Sequence, residues 1–231
     1  MSAAPASTPH SPKSTSRKLP VPTVAGARPD YWSRACAALA AADAQLGGVI
    51  ARHGQVHLVS RGDPFVTLTR SIVGQQISVK AAQAVWTRFE RACGTVVPQR
   101  VARMRLATFT NAGLSGRKAE YVRDLAGHFV SGEVDPARWP AQDDEAIIEE
   151  LVQVRGIGRW TAEMFLIFNL LRPDVFPVDD LGLLKAISLN YNDGQPVTKA
   201  EAKTIGQRWE PWRTVATWYL WRSLDPLPVD Y

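Results

Sequence analysis

Cysteine is scarce in this sequence. Its 231 residues hold two, Cys36 and Cys93, far apart and in helical-looking stretches. They make no CxxC pair and match no metal-site spacing, so no metal site is expected. Buried, reduced thiols are the expectation instead. Long apolar runs are missing as well. None reaches the length needed to cross a membrane, and the N-terminus carries bases without an apolar signal core. A cytoplasmic protein is expected, and the alternating pattern of strands and any internal repeat are also absent. Charge of one sign is nearly absent from the body of the chain. The net charge is +5, but residues 1–30 hold Lys13, Arg17, Lys18 and Arg28 against Asp30. The remainder has 23 bases and 21 acids, so any basic surface there must come from arrangement, not excess.

What is present begins with composition. Hydrophobic residues make up 45% of the chain, enough to bury a sizeable core. Residues 1–29 contain six prolines, five serines and five alanines, with almost nothing to bury, and read as a disordered tail. Residues 30–231 read as helix after helix, an all-α domain in two lobes with a cleft between them. "DYWSRACAALAAADAQLGGVIARHG" predicts a helix and a second short one. "DPFVTLTRSIVGQQISVKAAQAVWTRFERACG" predicts two helical pieces with a break at Gln75–Ser78, Ser78 capping the second. Tyr121, Leu125 and Phe129 form a stripe that Gly132 ends. The acids of "DDEAIIEELVQVRG" sit at the positive end of their helix. "WTAEMFLIFNLL" is nearly all apolar and should be central. Pro211 is expected in the first turn of the last helix.

Two short motifs carry chemistry. Gly156-Ile157-Gly158, within the hairpin at 153–161, permits a tight turn and a close approach by another molecule. The helix after it would point its first free amides, and its positive dipole end, out of the turn, where a phosphate fits. Ile157 would plug the turn into the core, and Arg155 and Arg159 flank it. This is the pattern of a helix-hairpin-helix, which grips a nucleic-acid backbone without reading bases; an ordinary turn between antiparallel helices is the plainer alternative. Twenty positions after Trp160, Asp179-Asp180 opens another helix. One of the two suffices to cap it, a contribution of about 1 kcal/mol. The other, set in an apolar cleft beside the hairpin, would suit a reaction that develops positive charge.

"SIVGQQIS", "LSGRKAEYVRDLA", "GIGRWTAE", "FPVDDLGL" and "WEPWRTVATWYLWR" together, from Phe65 to Arg222, closely resemble the helix-hairpin-helix DNA glycosylases. The nearest branch is that of the alkylation-repair enzymes, the 3-methyladenine DNA glycosylases of the second type. The resemblance implies a base-excision enzyme acting on damaged double-stranded DNA as a monomer, in a bacterial cytoplasm with the nucleoid. It implies Asp180 as the catalytic carboxylate, with Asp179 left to a capping or structural role. It implies phosphate-binding amides at Gly156, Gly158 and Thr161, with Arg159 beside them. Gln75 and Gln76 fall at the helix break that pushes a side chain into the duplex; a solvated, inert break is the alternative.

The glycosylase-lyases of the superfamily carry a catalytic lysine at or near the hairpin. Here the run is Gly158-Arg159-Trp160-Thr161, so a monofunctional enzyme that uses water is implied. No iron–sulfur cluster is implied, because that needs four closely spaced cysteines, and no cofactor beyond a monovalent cation at the hairpin. The base pocket is implied at Trp160 and Trp221, with Trp218 as neighbour and Met164 where the best-known relative has tyrosine. An indole face attracts an electron-poor alkylated purine by about 0.5–2 kcal/mol, although tryptophans on apolar helices are more often core. Other damaged bases as substrates, a non-catalytic DNA-binding module and a helical scaffold without DNA are the rival readings.

Overall fold

The structure, a computed structural model, describes residues 28–54 and 56–224. The predicted tail at 1–29 lies outside them but for its last two residues. Twelve α-helices and two 3-10 turns make up the described chain, with no strand among the described residues.

Helix α1 (Trp32–Ala42) breaks at Asp43, whose side chain accepts from the Leu46 amide and starts α2 (Ala44–His53). In α3 (Pro64–Gly74), Asp63 is the cap and Pro64 stands where a missing N–H costs nothing. Ser78 caps α4 (Val79–Cys93), as its position predicts. Two short helices, α5 (Pro98–Val101) and α6 (Leu106–Asn111), precede α7 (Gly116–Ser131), which Ser115 opens and left-handed Gly132 closes. Asp143 caps α8 (Asp144–Val152), and α9 (Arg159–Phe168) leaves the hairpin. Then come α10 (Leu181–Tyr191), α11 (Lys199–Gly206) with a Thr198–Glu201 capping box, and α12 (Arg213–Leu224). Pro211 does not open α12. It lies two residues ahead, in a cis peptide bond after Glu210, and Trp212 intervenes.

Packing sorts these helices into two lobes. The middle of the chain forms one: α3 lies against α4, α7 and α9, with α5 and α6 on α7 and α8 on α9. The two ends form the other: α1 and α2 lie against α12, and α12 against α10. Their polar anchor is buried Asp43, which accepts from Tyr191 Oη and Trp209 Nε1, each at 2.9 Å.

Chain segment 169–180 carries the fold from the middle lobe back to the end lobe, and it is pinned along its length. Asn169 Nδ2 donates to the Gly62 carbonyl and to Thr67 Oγ1. Tyr31 Oη donates to the Leu171 carbonyl at 2.7 Å. Arg172, nearly buried, donates to the Trp139 and Gln142 carbonyls. Arg213 forks onto Asp174 with two 2.8 Å bonds. Loop backbone tied at so many points fixes the position of its last residue. That residue is Asp180.

Candidate active site

Asp180 is the N-cap of α10. Its Oδ1 accepts from the Leu183 amide at 2.6 Å, so the carboxylate sits at the positive end of a helix. Two further donors converge on it. Trp221 Nε1, from α12, reaches Oδ1 at 2.9 Å. Trp160 Nε1, from the first turn of α9, reaches Oδ2 at 2.9 Å. Indole N–H groups only donate, and each carboxylate oxygen accepts about twice. Oδ1 is therefore saturated, while Oδ2 keeps a free lone pair beside Trp160. Asp180 is 7% exposed and Trp221 7%, but Trp160 is 37% exposed, so the opening to solvent lies on the Trp160 side. Among the described residues no cation comes within ion-pair distance of Asp180.

The neighbouring carboxylate is different in every respect. Asp179 is exposed and pairs with Lys199, whose ammonium holds its carboxyl below the usual range by hydrogen bond and charge. The capping role expected of Asp179 therefore belongs to Asp180. One side chain both starts the helix, from an extended backbone at ψ 115, and accepts from the two indoles.

At the hairpin the two glycines do separate jobs. Gly156 has φ 87, and a Cβ there would fall 2.2 Å from the Tyr121 ring, so only glycine fits. Gly158 is exposed and has nothing within 4 Å of that position. Gly158 is also the N-cap of α9, and no side chain caps that end. Ile157 is buried, as expected of a plug. Thr161 is buried as well, in the first turn of α9. The arginines are already engaged. Arg155 holds Asp124 at 3.1 Å, and Arg159 forks onto Glu145 at 2.7 and 2.5 Å. The charge expected to face a phosphate at Arg159 is paired with Glu145 on the surface.

The break between α3 and α4 lies against the hairpin. Gln75 Nε2 donates to the Gly156 carbonyl at 2.8 Å, so Gln75 turns inward. Gln76 adopts φ 57, a left-handed conformation rare for a residue with a side chain. It is exposed, and so are Ile77 and Val79 after it.

The family model for an HhH-GPD superfamily base excision DNA repair protein matches residues 69–213. The chain belongs to the HhH-GPD superfamily. DNA-3-methyladenine glycosylase 1 of Schizosaccharomyces pombe is 33% identical over 170 residues, 71% of this chain and 74% of that one. Among solved structures, a DNA-3-methyladenine glycosidase from Bacillus halodurans superposes with TM-score 0.79 at 36% identity, covering 84% of this chain and 91% of that one. The S. pombe 3-methyladenine DNA glycosylase in complex with abasic DNA gives 0.73 at 29%, covering 86% and 98%. This HhH-GPD protein thus falls in the alkylation-repair branch of the helix-hairpin-helix DNA glycosylases, as its motifs imply.

The HhH-GPD site gathers most of the residues read from the sequence, with changed roles for some. Trp160 and Trp221 meet at Asp180, and Met164 is buried one turn along α9 from Trp160. Trp218 makes no hydrogen bond to Asp180 and reaches Trp221 through Phe168. Its ring packs edge-on against Phe168 and lies under the Arg222 guanidinium, 4.4 Å away. Gln75 braces the hairpin through the Gly156 carbonyl.

Sequence reasoning missed four contributors. Phe168 stacks flat against Trp221 at 5.8 Å, and the Arg61 guanidinium lies 4.5 Å from the centre of the Phe168 ring. Lys118 reaches the α3 break. Glu163, in "GRWTAE", is buried with Oε2 lacking a hydrogen-bond partner among the described residues. Burial raises the Glu163 carboxyl to about 7, only partly offset by Arg159 at 3.4 Å and reinforced by Asp179 and Glu145. An acid inside an otherwise apolar helix was the available signal for Glu163. For Phe168 there was none, since it reads as core.

Proposed function

We propose that this protein is a monofunctional DNA glycosylase that releases alkylated purines, 3-methyladenine and 7-methylguanine foremost, from duplex DNA. The observation that carries the reading is the Asp180 carboxylate, buried, oriented by two indoles and an amide, and without a cation. A carboxylate so held is ready to oppose positive charge developing beside it.

The amides at Gly156, Gly158 and Thr161 would grip a backbone phosphate at the uncapped start of α9. Gln76, with Ile77, would fill the space left when the damaged nucleotide swings out, a step costing a few kcal/mol. The purine would stack on the exposed face of Trp160, with Met164 and Trp221 behind. As the N-glycosidic bond breaks, its electron pair leaves with the purine. Alkylation makes the purine a good leaving group, so no strong general acid is required. The sugar becomes oxocarbenium-like, and Asp180 Oδ2, the oxygen with a lone pair to spare, stabilises it. Water then adds to the sugar carbon and gives its proton to that oxygen. The residues after the hairpin are Arg159 and Trp160, so no lysine stands where a lyase would form a Schiff base. Nothing in these steps calls for a cofactor, and one protomer suffices.

Incubation with methylated duplex DNA, with chromatography of the released bases, tests this. Free methylated purines and an intact strand bearing abasic sites are the expected products. Strand cleavage would overturn the monofunctional assignment. DNA binding without any released base would leave a backbone-binding module.

A further inference from the structure

The intercalating turn is short, exposed and held in a conformation that a residue with a side chain rarely adopts. Gln76 sits at φ 57, with exposed Ile77 and Val79 after it. Such a turn persists only when its surroundings fix it. The last carbonyls of α3 cannot be satisfied by the helix that ends there. Lys118, in the first turn of α7, supplies the missing donor. Its ammonium donates to the Val73 carbonyl at 2.8 Å and to the Gln75 carbonyl at 2.6 Å. These two carbonyls lie on either side of the point where the helix stops. A cation there also complements the negative end of the α3 dipole.

The same turn is tied to the hairpin. Gln75 Nε2 donates to the Gly156 carbonyl, and Tyr121, one turn beyond Lys118 on α7, packs its ring where a Gly156 side chain would stand. The first two turns of α7 therefore touch both DNA-facing elements, Lys118 at the break and Tyr121 at the hairpin. We infer that Lys118 is a positioning residue that sets the intercalating turn relative to the hairpin, so that gripping the phosphate and filling the stack happen in one register. The inference rests on the glycosylase reading. Lys118 touches neither Asp180 nor its indole partners, so its effect falls on nucleotide extrusion and not on bond cleavage.

The test uses Lys118→Met, which keeps the length of the side chain and removes its donors. Two duplexes carry one 7-methylguanine each. In one the lesion is paired; in the other it faces a gap in the opposite strand, so little stacking or pairing opposes extrusion. Single-turnover release is measured on both, together with the fluorescence of a 2-aminopurine beside the lesion. Lys118→Met is expected to slow release more than tenfold from the paired substrate and less than threefold from the gapped one, and to abolish most of the unstacking signal. Lys118→Arg, which restores two donors, is expected to recover most of the loss. Equal slowing on both substrates, or no slowing on either, overturns the inference. If Lys118→Met does not fold, failure of Lys118→Arg to discriminate from a Lys118→Gln variant on the paired substrate does the same. Absence of release by the unmodified protein on both duplexes sinks the glycosylase reading instead, so the two failures are distinct.

Discussion

The carboxylate site and the hairpin edge treat charge in opposite ways. Asp180 is surrounded by neutral N–H donors, so its negative charge is oriented but not cancelled. At the hairpin, charges are cancelled in pairs: Arg155 with Asp124, and Arg159 with Glu145 and Glu163. On the proposed glycosylase function, the difference separates two tasks. A site that stabilises a transient cation must keep its charge available, and a permanent neighbouring cation would compete. A site that grips a polyanion at uncapped amides needs directed donors more than net charge, and neutralised arginines there limit non-specific affinity.

The largest expected effect is on the uncompensated side. Asp180→Asn keeps an N-cap side chain, so folding should survive, but it removes the charge facing the sugar. Turnover on methylated DNA should fall at least about 100-fold, the range seen when one electrostatic contributor is lost. Unimpaired turnover by a folded Asp180→Asn protein would erase the contrast between the two regions.

Glu163 sharpens the comparison, since it is the hairpin carboxylate least matched by its partner. Its carboxyl ordinarily titrates near 4.5 and here near 7. Below pH 4.5 it is protonated folded or unfolded, and no penalty arises. As pH rises through 7 the fold must hold it ionised, at a cost of up to about 3 kcal/mol. Glu163→Gln should therefore remove a loss of stability that the unmodified protein shows between pH 4.5 and 7 in denaturant titrations. Parallel curves for the two proteins would show that Arg159 already compensates it.

Next comes the pair of indoles. Trp221→Phe keeps the stack on Phe168 but takes a buried donor from Oδ1, and should cost about 1–2 kcal/mol of stability. Trp160→Phe should cost less, because water reaches Oδ2 on the exposed side, and should act on turnover instead. Equal thermal shifts would contradict this division. The smallest effect belongs to the rim of the hairpin. Glu145→Ala frees Arg159, and DNA binding should tighten a few-fold, with the slope of log affinity against log salt steeper by about one. An unchanged slope would mean that Arg159 stays folded onto Glu163.

Local chemistry in the sequence determined a good deal. Ser78, the acids that open α8 and Gly132 mark helix ends where the structure has them, because a capping side chain or a left-handed glycine acts on its own few neighbours. Gly156-Ile157-Gly158 announced the hairpin, and Asp179-Asp180 announced a carboxylate pair at the start of the next helix, of which the family resemblance alone picked Asp180. The sequence did not distinguish Asp179 from Asp180 on physical grounds, since adjacent residues share every local preference. Only the fold does so: the pinned segment before them aims one into the indoles and the other at Lys199. Tertiary structure likewise turned Gln75 inward, set Trp218 against Phe168 and brought Lys118 to the end of α3. Gln75 and Gly156 are 81 positions apart, and Lys118 and Val73 are 45 apart. No periodicity or cap reports on pairing at that range. The reason is physical: helix propensity and capping energies are set within a turn or two, while the direction of a side chain is set by whatever packs against it.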